Sequence, residues 1–208
     1  MRARPAVIVL AAGKGSRFLG ADHKLAQRLG SATVLATTLR TAVATQLPVI
    51  AVTTEAFADV ARRSVAARDV VVLPEVGSPG SELLGMGYSI AAGVLARPEA
   101  SGWLILPGDM PMVQTSTLHA VAEQLDHHAV VYAQYHGRRG HPVGFGAELY
   151  SELVNLSGDE GARRLVARYP AYGVELDDPG VLIDVDTEAD LALVRSAHDG
   201  IASAERRA

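Results

Sequence analysis

The 208-residue chain contains no cysteine. That excludes disulfides, thiolate metal ligands and cysteine nucleophiles, and fits a reducing compartment. Aromatic residues make up 5% of the chain against 49% hydrophobic residues in all, so any core must be built mainly from Ala, Val and Leu, as in many α/β proteins. Basic residues are not in excess: 19 Lys and Arg against 23 Asp and Glu leave a formal charge of −4. A DNA or RNA polymer therefore has no electrostatic footprint to bind. No apolar stretch approaches the length of a membrane span, and no repeat, linker or low-complexity segment divides the chain. These absences predict a single cytoplasmic domain over residues 1–208, with a frayed tail over 200–208. The opening MRARPAVIVLAAGKGSR is basic, then apolar, then small, like a leader. Its apolar run is short, however, and its cleavage region would be a glycine turn, so it reads as part of the fold.

What is present is concentrated between Ala6 and Lys24. The uninterrupted run Ala6-Val7-Ile8-Val9-Leu10 suits a strand buried on both faces. Gly13 and Gly15 follow, allowing a tight turn whose N–H groups can approach a ligand, and Arg17 and Lys24 add positive charge beyond it. The stretch describes a cradle for a nucleotide's phosphates. It is not a dinucleotide fingerprint, since Phe18 stands where a third glycine is needed, nor a P-loop, since Gly13-Lys14-Gly15 lacks the spacing and the hydroxyl. A dehydrogenase is disfavoured accordingly.

Helical and strand patterns then alternate. Ser31–Thr45 reads as a helix and Val49–Val52 as a strand closing on Thr53-Thr54. Glu55–Ala67 is a helix, Val70–Leu73 a strand, Pro74–Gly80 a loop and Ser81–Arg97 a helix. Trp103–Leu106 is a strand, Thr115–Asp126 a helix and Ala129–Tyr135 a strand. The rhythm predicts an α/β fold with a doubly wound, mostly parallel sheet. Gly137–Pro142 then reads as a turn into a strand through Phe145, an inserted antiparallel pair that makes the sheet mixed. Ser157/Glu160 and Thr187/Asp190 are spaced as capping boxes, and a last strand is expected around Val181–Val185.

Ligands of open α/β sheets gather at the carboxyl ends of the strands, and three acidic residues fall there. Asp109 follows the strand ending at Leu106. Asp184 and Asp186 share one face of the expected last strand. Together they could hold Mg²⁺, with phosphate and water oxygens completing the shell. Each has a plainer alternative: Asp109 as a turn-capping aspartate, Asp186 as a helix N-terminal charge. Arg17 can equally be a surface cation, and Arg138-Arg139 either a solvated hairpin tip or a fork for an acidic ligand. No Ser-His-Asp arrangement is visible.

Leu10-Ala11-Ala12-Gly13 with Gly15, Arg17 and Lys24 resembles the signature of the nucleotidyltransferases, more narrowly of the molybdenum cofactor cytidylyltransferase-like branch. The span from Gly13 to Lys24 is about two residues longer than that pattern. Gly108-Asp109-Met110-Pro111 and Asp184-Val185-Asp186-Thr187 resemble the family's metal-binding strings. Gly85–Ile90 resembles its loop-to-helix segment facing base and ribose, with ordinary helix packing as the alternative. Arg139–Phe145 and Gly158–Arg163 resemble the acceptor side of the pterin-cofactor enzymes, His141 either touching the acceptor or satisfying the turn.

The resemblance implies a Rossmann-like nucleotidyltransferase fold with Arg17, Lys24 and Asp109 as catalytic residues and Mg²⁺ on Asp109, Asp186 and Asp184. It implies nucleotide binding by Leu10, Ala11, Ala12, Gly13, Gly15, Arg17, Lys24, Thr53, Gly85, Ser89 and Gly108, and acceptor binding by Arg139, Gly140, His141 and Pro142. The implied reaction moves CMP from CTP to the terminal phosphate of molybdenum cofactor, a phosphorylated pterin, for a molybdenum hydroxylase client. Alternatives are guanylyl transfer from GTP, another phosphorylated small-molecule acceptor, or a non-catalytic module that binds nucleotide and delivers cofactor.

Overall fold

The computed structural model describes residues 3–20, 22–75 and 85–205; the expected loop over 76–80 and the first turn of the helix expected from Ser81 lie outside them. Strand β1 (Ala6–Ala11) lies inside the sheet, flanked on both sides. Its neighbours are β4 (Val49–Thr54) on one side and β6 (Gly102–Pro107) on the other, both parallel to it. β5 (Val70–Leu73) extends the sheet beyond β4. Beyond β6 lie β8 (Arg138–Gly146), β7 (Val130–Tyr135) and β9 (Ala171–Glu175), giving the order β5-β4-β1-β6-β8-β7-β9. Among the described residues only β8 runs against the others. Arg28–Leu29 and Ala32–Thr33 (β2 and β3) form a separate small antiparallel pair.

The side chains of β1 point alternately to two apolar layers, which is why the strand carries no polar residue. Val7 and Val9 pack with α1 (Val34–Ala44), α2 (Glu55–Arg62), α4 (Thr115–Gln124) and α7 (Glu188–Glu205), through residues such as Leu39, Phe57, Leu118 and Val194. Ala6 and Ile8 pack with α3 (Met86–Leu95), α5 (Tyr150–Leu153) and α6 (Arg163–Arg168), through Ile90, Val94, Leu153 and Leu165. α7 continues to Glu205, past the Gly200 where fraying is expected. No helix of the described residues is long and apolar enough to cross a membrane.

Three local expectations are corrected. Val181–Val185 is not a strand: Pro179–Leu182 forms a 3-10 turn, begun by Pro179 and capped by the Asp178 side chain. The last strand is instead β9, an edge strand that supplies Glu175. That carboxylate accepts hydrogen bonds from the N–H groups of His136 (2.6 Å) and Gly137 (3.2 Å), holding the β7–β8 turn to those two residues. Arg139, Gly140, His141 and Pro142 consequently lie within β8 rather than in the turn. Ser157 and Glu160 cap no helix: Gly158 and Gly161 take positive φ, and α6 starts only at Arg163.

The second capping box is realised. The Asp190 carboxylate accepts from the Thr187 N–H (2.8 Å), the Thr187 hydroxyl (2.7 Å) and the Asp186 N–H (3.2 Å), while the Asp190 N–H donates to Thr187 Oγ1. The Thr187 hydroxyl bond above all holds the Asp190 carboxyl below the usual range. A depressed folded-state value adds stability above the unfolded pKa and loses it as the pH falls through the folded one. Asp190→Ala is therefore expected to cost about 1 kcal/mol at neutral pH, a loss of about 2–4 °C in melting temperature. Thermal melts should show that gap closing as the pH falls below the ordinary carboxylate range and through the depressed folded-state value.

Candidate active site

The crevice sits at the carboxyl ends of β1 and β6, where the chain winds off in opposite directions from β1, the switch point at which open α/β sheets bind ligands. Its volume is about 490 Å³. Leu10, Ala11, Ala12, Gly13, Gly15, Arg17, Lys24, Gly85, Ser89, Asp109 and Asp186 line it.

The glycine turn is braced by a residue that the sequence pattern does not single out. His23 Nδ1 accepts from the Leu25 N–H (3.2 Å), so its proton is on Nε2, which donates to the Gly13 carbonyl at 3.1 Å. The ring also packs 4.8 Å from Phe57 of α2. Gly15 has φ +60°, and an added Cβ would stand 2.8 Å from His23 Nε2. This one side chain joins the turn, the 3-10 turn Lys24–Ala26 and the helical layer. The signal available was a polar residue directly before Lys24, the N-cap position of a short turn that carries the buried Leu25.

Lys24 leads that short turn and is anchored by Leu25, which is buried. The ammonium lies 2.6 Å from Asp109 Oδ2 and 2.6 Å from Asp186 Oδ1, with 12% of the side chain exposed. Burial opposes its charge, yet the two carboxylates hold its pKa above the ordinary lysine value. Arg17, 77% exposed, reaches Asp186 Oδ2 at 2.7 Å. Despite the longer loop, Lys24 and Arg17 both arrive at the acidic end of the cleft.

Asp109 is held by its backbone. The Gly108 N–H donates to the Leu10 carbonyl (2.7 Å), the Thr38 hydroxyl to the Gly108 carbonyl (3.0 Å), and the Val185 N–H to the Asp109 carbonyl (3.0 Å). Gly108 is required here, since a Cβ would stand 2.9 Å from Leu10 O. The other carboxylate oxygen, Asp109 Oδ1, is buried without a hydrogen-bond partner. A buried carboxylate oxygen left open costs stability unless something binds it, and a hard divalent cation is the chemistry it suits. Among the described residues no three His, Asp or Glu side chains converge on a ready-made metal cage. Asp109 and Asp186 offer two carboxylates to a divalent cation, with water or substrate phosphate oxygens to complete its shell.

Asp184 is the most exposed of the three acids. Partial burial and then its hydrogen bond and charge repulsion with Asp186 raise its pKa. Burial pushes Asp186 the same way, but Lys24, Asp184 and Arg17 outweigh it and keep its carboxyl below the usual range.

The remaining predicted residues lie off the crevice lining. Thr53 is fully buried and its hydroxyl donates to the Thr54 carbonyl (3.2 Å). Arg139 stacks over the Tyr132 ring at 4.0 Å on the outer part of the sheet. Gly140 and Pro142 are buried, and Gly140 lets the backbone at Val181 pass where a side chain would clash. Burial lowers the His141 pKa, against the charge of Asp109, so its imidazole is neutral at pH 7. On the opposite wall the Gly87 N–H donates to the Gly158 carbonyl at 2.9 Å. The start of α3 and the Gly158-Asp159 turn form one unit, which brings Asp159 into the cleft lining.

A glycine turn, two cations and two carboxylates at the switch point of this sheet define an enzyme that handles nucleoside triphosphates, a nucleotidyltransferase. The chain belongs to the family described as the MobA-like NTP transferase domain, whose model matches residues 7–176. It is 29% identical over 205 residues to the purine catabolism protein PucB of Bacillus subtilis, covering 91% of this chain and 95% of that one. Among solved structures it is similar to Rv0371c of Mycobacterium tuberculosis, with a TM-score of 0.79 and 28% identity over 94% of this chain and 99% of that one. A manganese complex of Rv0371c superposes with a TM-score of 0.73, at 27% identity over 93% and 98% of the two chains.

Proposed function

We propose that the protein transfers CMP from CTP to the terminal phosphate of molybdenum cofactor with release of pyrophosphate. The observation that carries this is the Lys24 ammonium bridging Asp109 and Asp186 beside the Gly13–Gly15 turn, with Asp109 Oδ1 left open. A phosphate monoester is already nucleophilic at neutral pH, so the site needs no activating base. An acceptor phosphate oxygen forms a bond to the α-phosphorus of the nucleotide while the bond from that phosphorus to the bridging oxygen of pyrophosphate breaks.

The residues of the site orient two anionic partners and neutralise charge that builds on the α-phosphate and the leaving group. Gly13 to Gly15 offer backbone N–H groups to the triphosphate, Lys24 and Arg17 offer charge, and Asp109 and Asp186 are the residues to hold Mg²⁺. When bound, Mg²⁺ supplies electrostatic stabilisation to the α-phosphate and departing pyrophosphate. Acceptor recognition is assigned to the wall of the cleft around Asp159 and to His141, within range of the Asp109 charge. Two comparisons support the reading. That Rv0371c forms a complex with manganese supports the use of a divalent cation. The purine catabolism ascribed to PucB suits a molybdenum hydroxylase client such as xanthine dehydrogenase, which acts on a purine. Ala12, where the guanylyl branch carries glycine, favours CTP over GTP.

Pyrophosphate release with Mg²⁺ and purified molybdenum cofactor, compared across CTP, GTP, ATP and UTP, tests the proposal. Release with CTP and cofactor together is expected. Release with GTP alone would keep the chemistry and overturn the base, and no release with any of the four would reject the acceptor.

A further inference from the structure

Asp109 and Asp186 come from segments far apart in the chain, yet the site requires their carboxylates at a fixed separation. We propose that Asp178 is the positioning residue that sets this separation by pinning the segment before Asp186 to the segment after Asp109; the inference rests on reading those two acids as metal ligands.

Asp178 is 2% exposed and touches nothing in the cleft. Its Oδ2 accepts from the Gln114 N–H at 2.9 Å and from the Thr117 hydroxyl at 2.6 Å, and its Oδ1 accepts from the Gly180 N–H at 2.9 Å. Burying a carboxylate among neutral donors is costly. It is tolerated here because Gln114 and Thr117 belong to the N-terminus of α4, where the helix dipole favours negative charge.

The position of that charge is what needs explaining. Gln114 is the N-cap residue of α4 and makes no side-chain cap of its own. A Ser, Thr, Asn or Asp there would cap the helix locally. Asp178 instead takes the N–H of the N-cap residue itself and the Thr117 hydroxyl from 64 and 61 positions away, a tertiary tie that a local cap cannot provide.

The tie is short and stiff at both ends. On one side Asp109 leads into α4 through two tight turns, with the Met110 N–H on the Pro107 carbonyl and the Val113 N–H on the Met110 carbonyl. On the other, the 3-10 turn Pro179–Leu182 runs from Asp178 toward Asp186, closed by the Ile183 N–H on the Gly180 carbonyl at 3.1 Å. Gly180 lets the two segments touch, since a Cβ there would overlap the Met112 carbonyl. The Val185 N–H on the Asp109 carbonyl completes the seam. Asp178 is the side chain in that seam that can be removed without touching a ligand.

The test is Mn²⁺ titration of the full chain followed by electron paramagnetic resonance, with circular dichroism melts on the same samples. Asp178→Ala is expected to weaken Mn²⁺ binding about tenfold, the lower end for residues that orient metal ligands, and to lower the melting temperature. Thr117→Val keeps the side-chain shape, removes one donor and should weaken binding about threefold; it answers the question if Asp178→Ala does not fold. Asp69→Ala breaks the ion pair with Arg97 at the far end of the sheet and should lower the melting temperature with Mn²⁺ affinity unchanged. Asp178→Ala and Thr117→Val both binding Mn²⁺ like the wild type would make Asp178 a purely structural tie and overturn the proposal. Wild-type protein failing to bind Mn²⁺ would instead reject the metal reading of Asp109 and Asp186, and the proposal with it.

Discussion

Asp109→Ala is expected to lose about a thousandfold or more in nucleotidyl transfer while folding normally. Removing a single preorganised electrostatic partner of a transition state typically costs 10²–10³, and Asp109 has two such roles. Its Oδ2 fixes the Lys24 ammonium at 2.6 Å, and its Oδ1 is the open buried oxygen of the site. The variant loses both at once and leaves Lys24 on Asp186 alone. The fold should not suffer, because the contacts that shape this turn come from the backbone: Gly108 to Leu10, Thr38 to Gly108 and Val185 to Asp109. Removing one of three neighbouring carboxyls also relieves charge repulsion that raises the Asp184 pKa. Asp109→Asn separates shape from charge. It retains an oxygen for Lys24 and should still be strongly impaired if charge is what matters. Pyrophosphate release and circular dichroism melts decide it; wild-type turnover in either variant would remove Asp109 from the chemistry.

The parts of the fold legible in sequence were those buried on both faces. β1, β4 and β6 are largely continuous apolar runs because parallel strands between two helical layers admit no polar alternation; the exception is β5, an edge strand with Val72 exposed that was legible from its Val-rich run alone. The ends of all four were placed to within a residue or two. The crevice followed from them, since Gly13 and Asp109 stand just past the ends of β1 and β6. What escaped depended on partners distant in the chain. β9 is a short edge strand, AYGVE, whose weak pattern is stabilised by pairing with β7 and by the grip of Glu175 on the β7–β8 turn. The same grip moved Arg139 and His141 from a turn into a strand. His23 and Asp178 were silent for a related reason: each works through hydrogen bonds to backbone N–H or C=O groups, or to a hydroxyl, and a sequence names none of those partners.

Lys24→Met is expected to move two observables in opposite directions. The ammonium stands between the Asp109 and Asp186 carboxylates, where a divalent cation would compete with it for the same oxygens. Two carboxylates and one ammonium carry a net charge of −1; without the ammonium the pair carries −2 and attracts a cation more strongly. Methionine keeps the length and apolar stem of the side chain and removes the charge, so Mn²⁺ binding without nucleotide should tighten about tenfold. Turnover should nonetheless fall about a hundredfold, because the lysine is also the buried cation best placed to meet the triphosphate once it leaves the carboxylates. A third readout follows from linkage. With the pair unneutralised, Lys24→Met should melt at lower temperature than the wild type without metal and recover more of that loss when Mn²⁺ is added. Weaker Mn²⁺ binding with undiminished turnover would make Lys24 a structural tether and leave the charge of the site to Arg17.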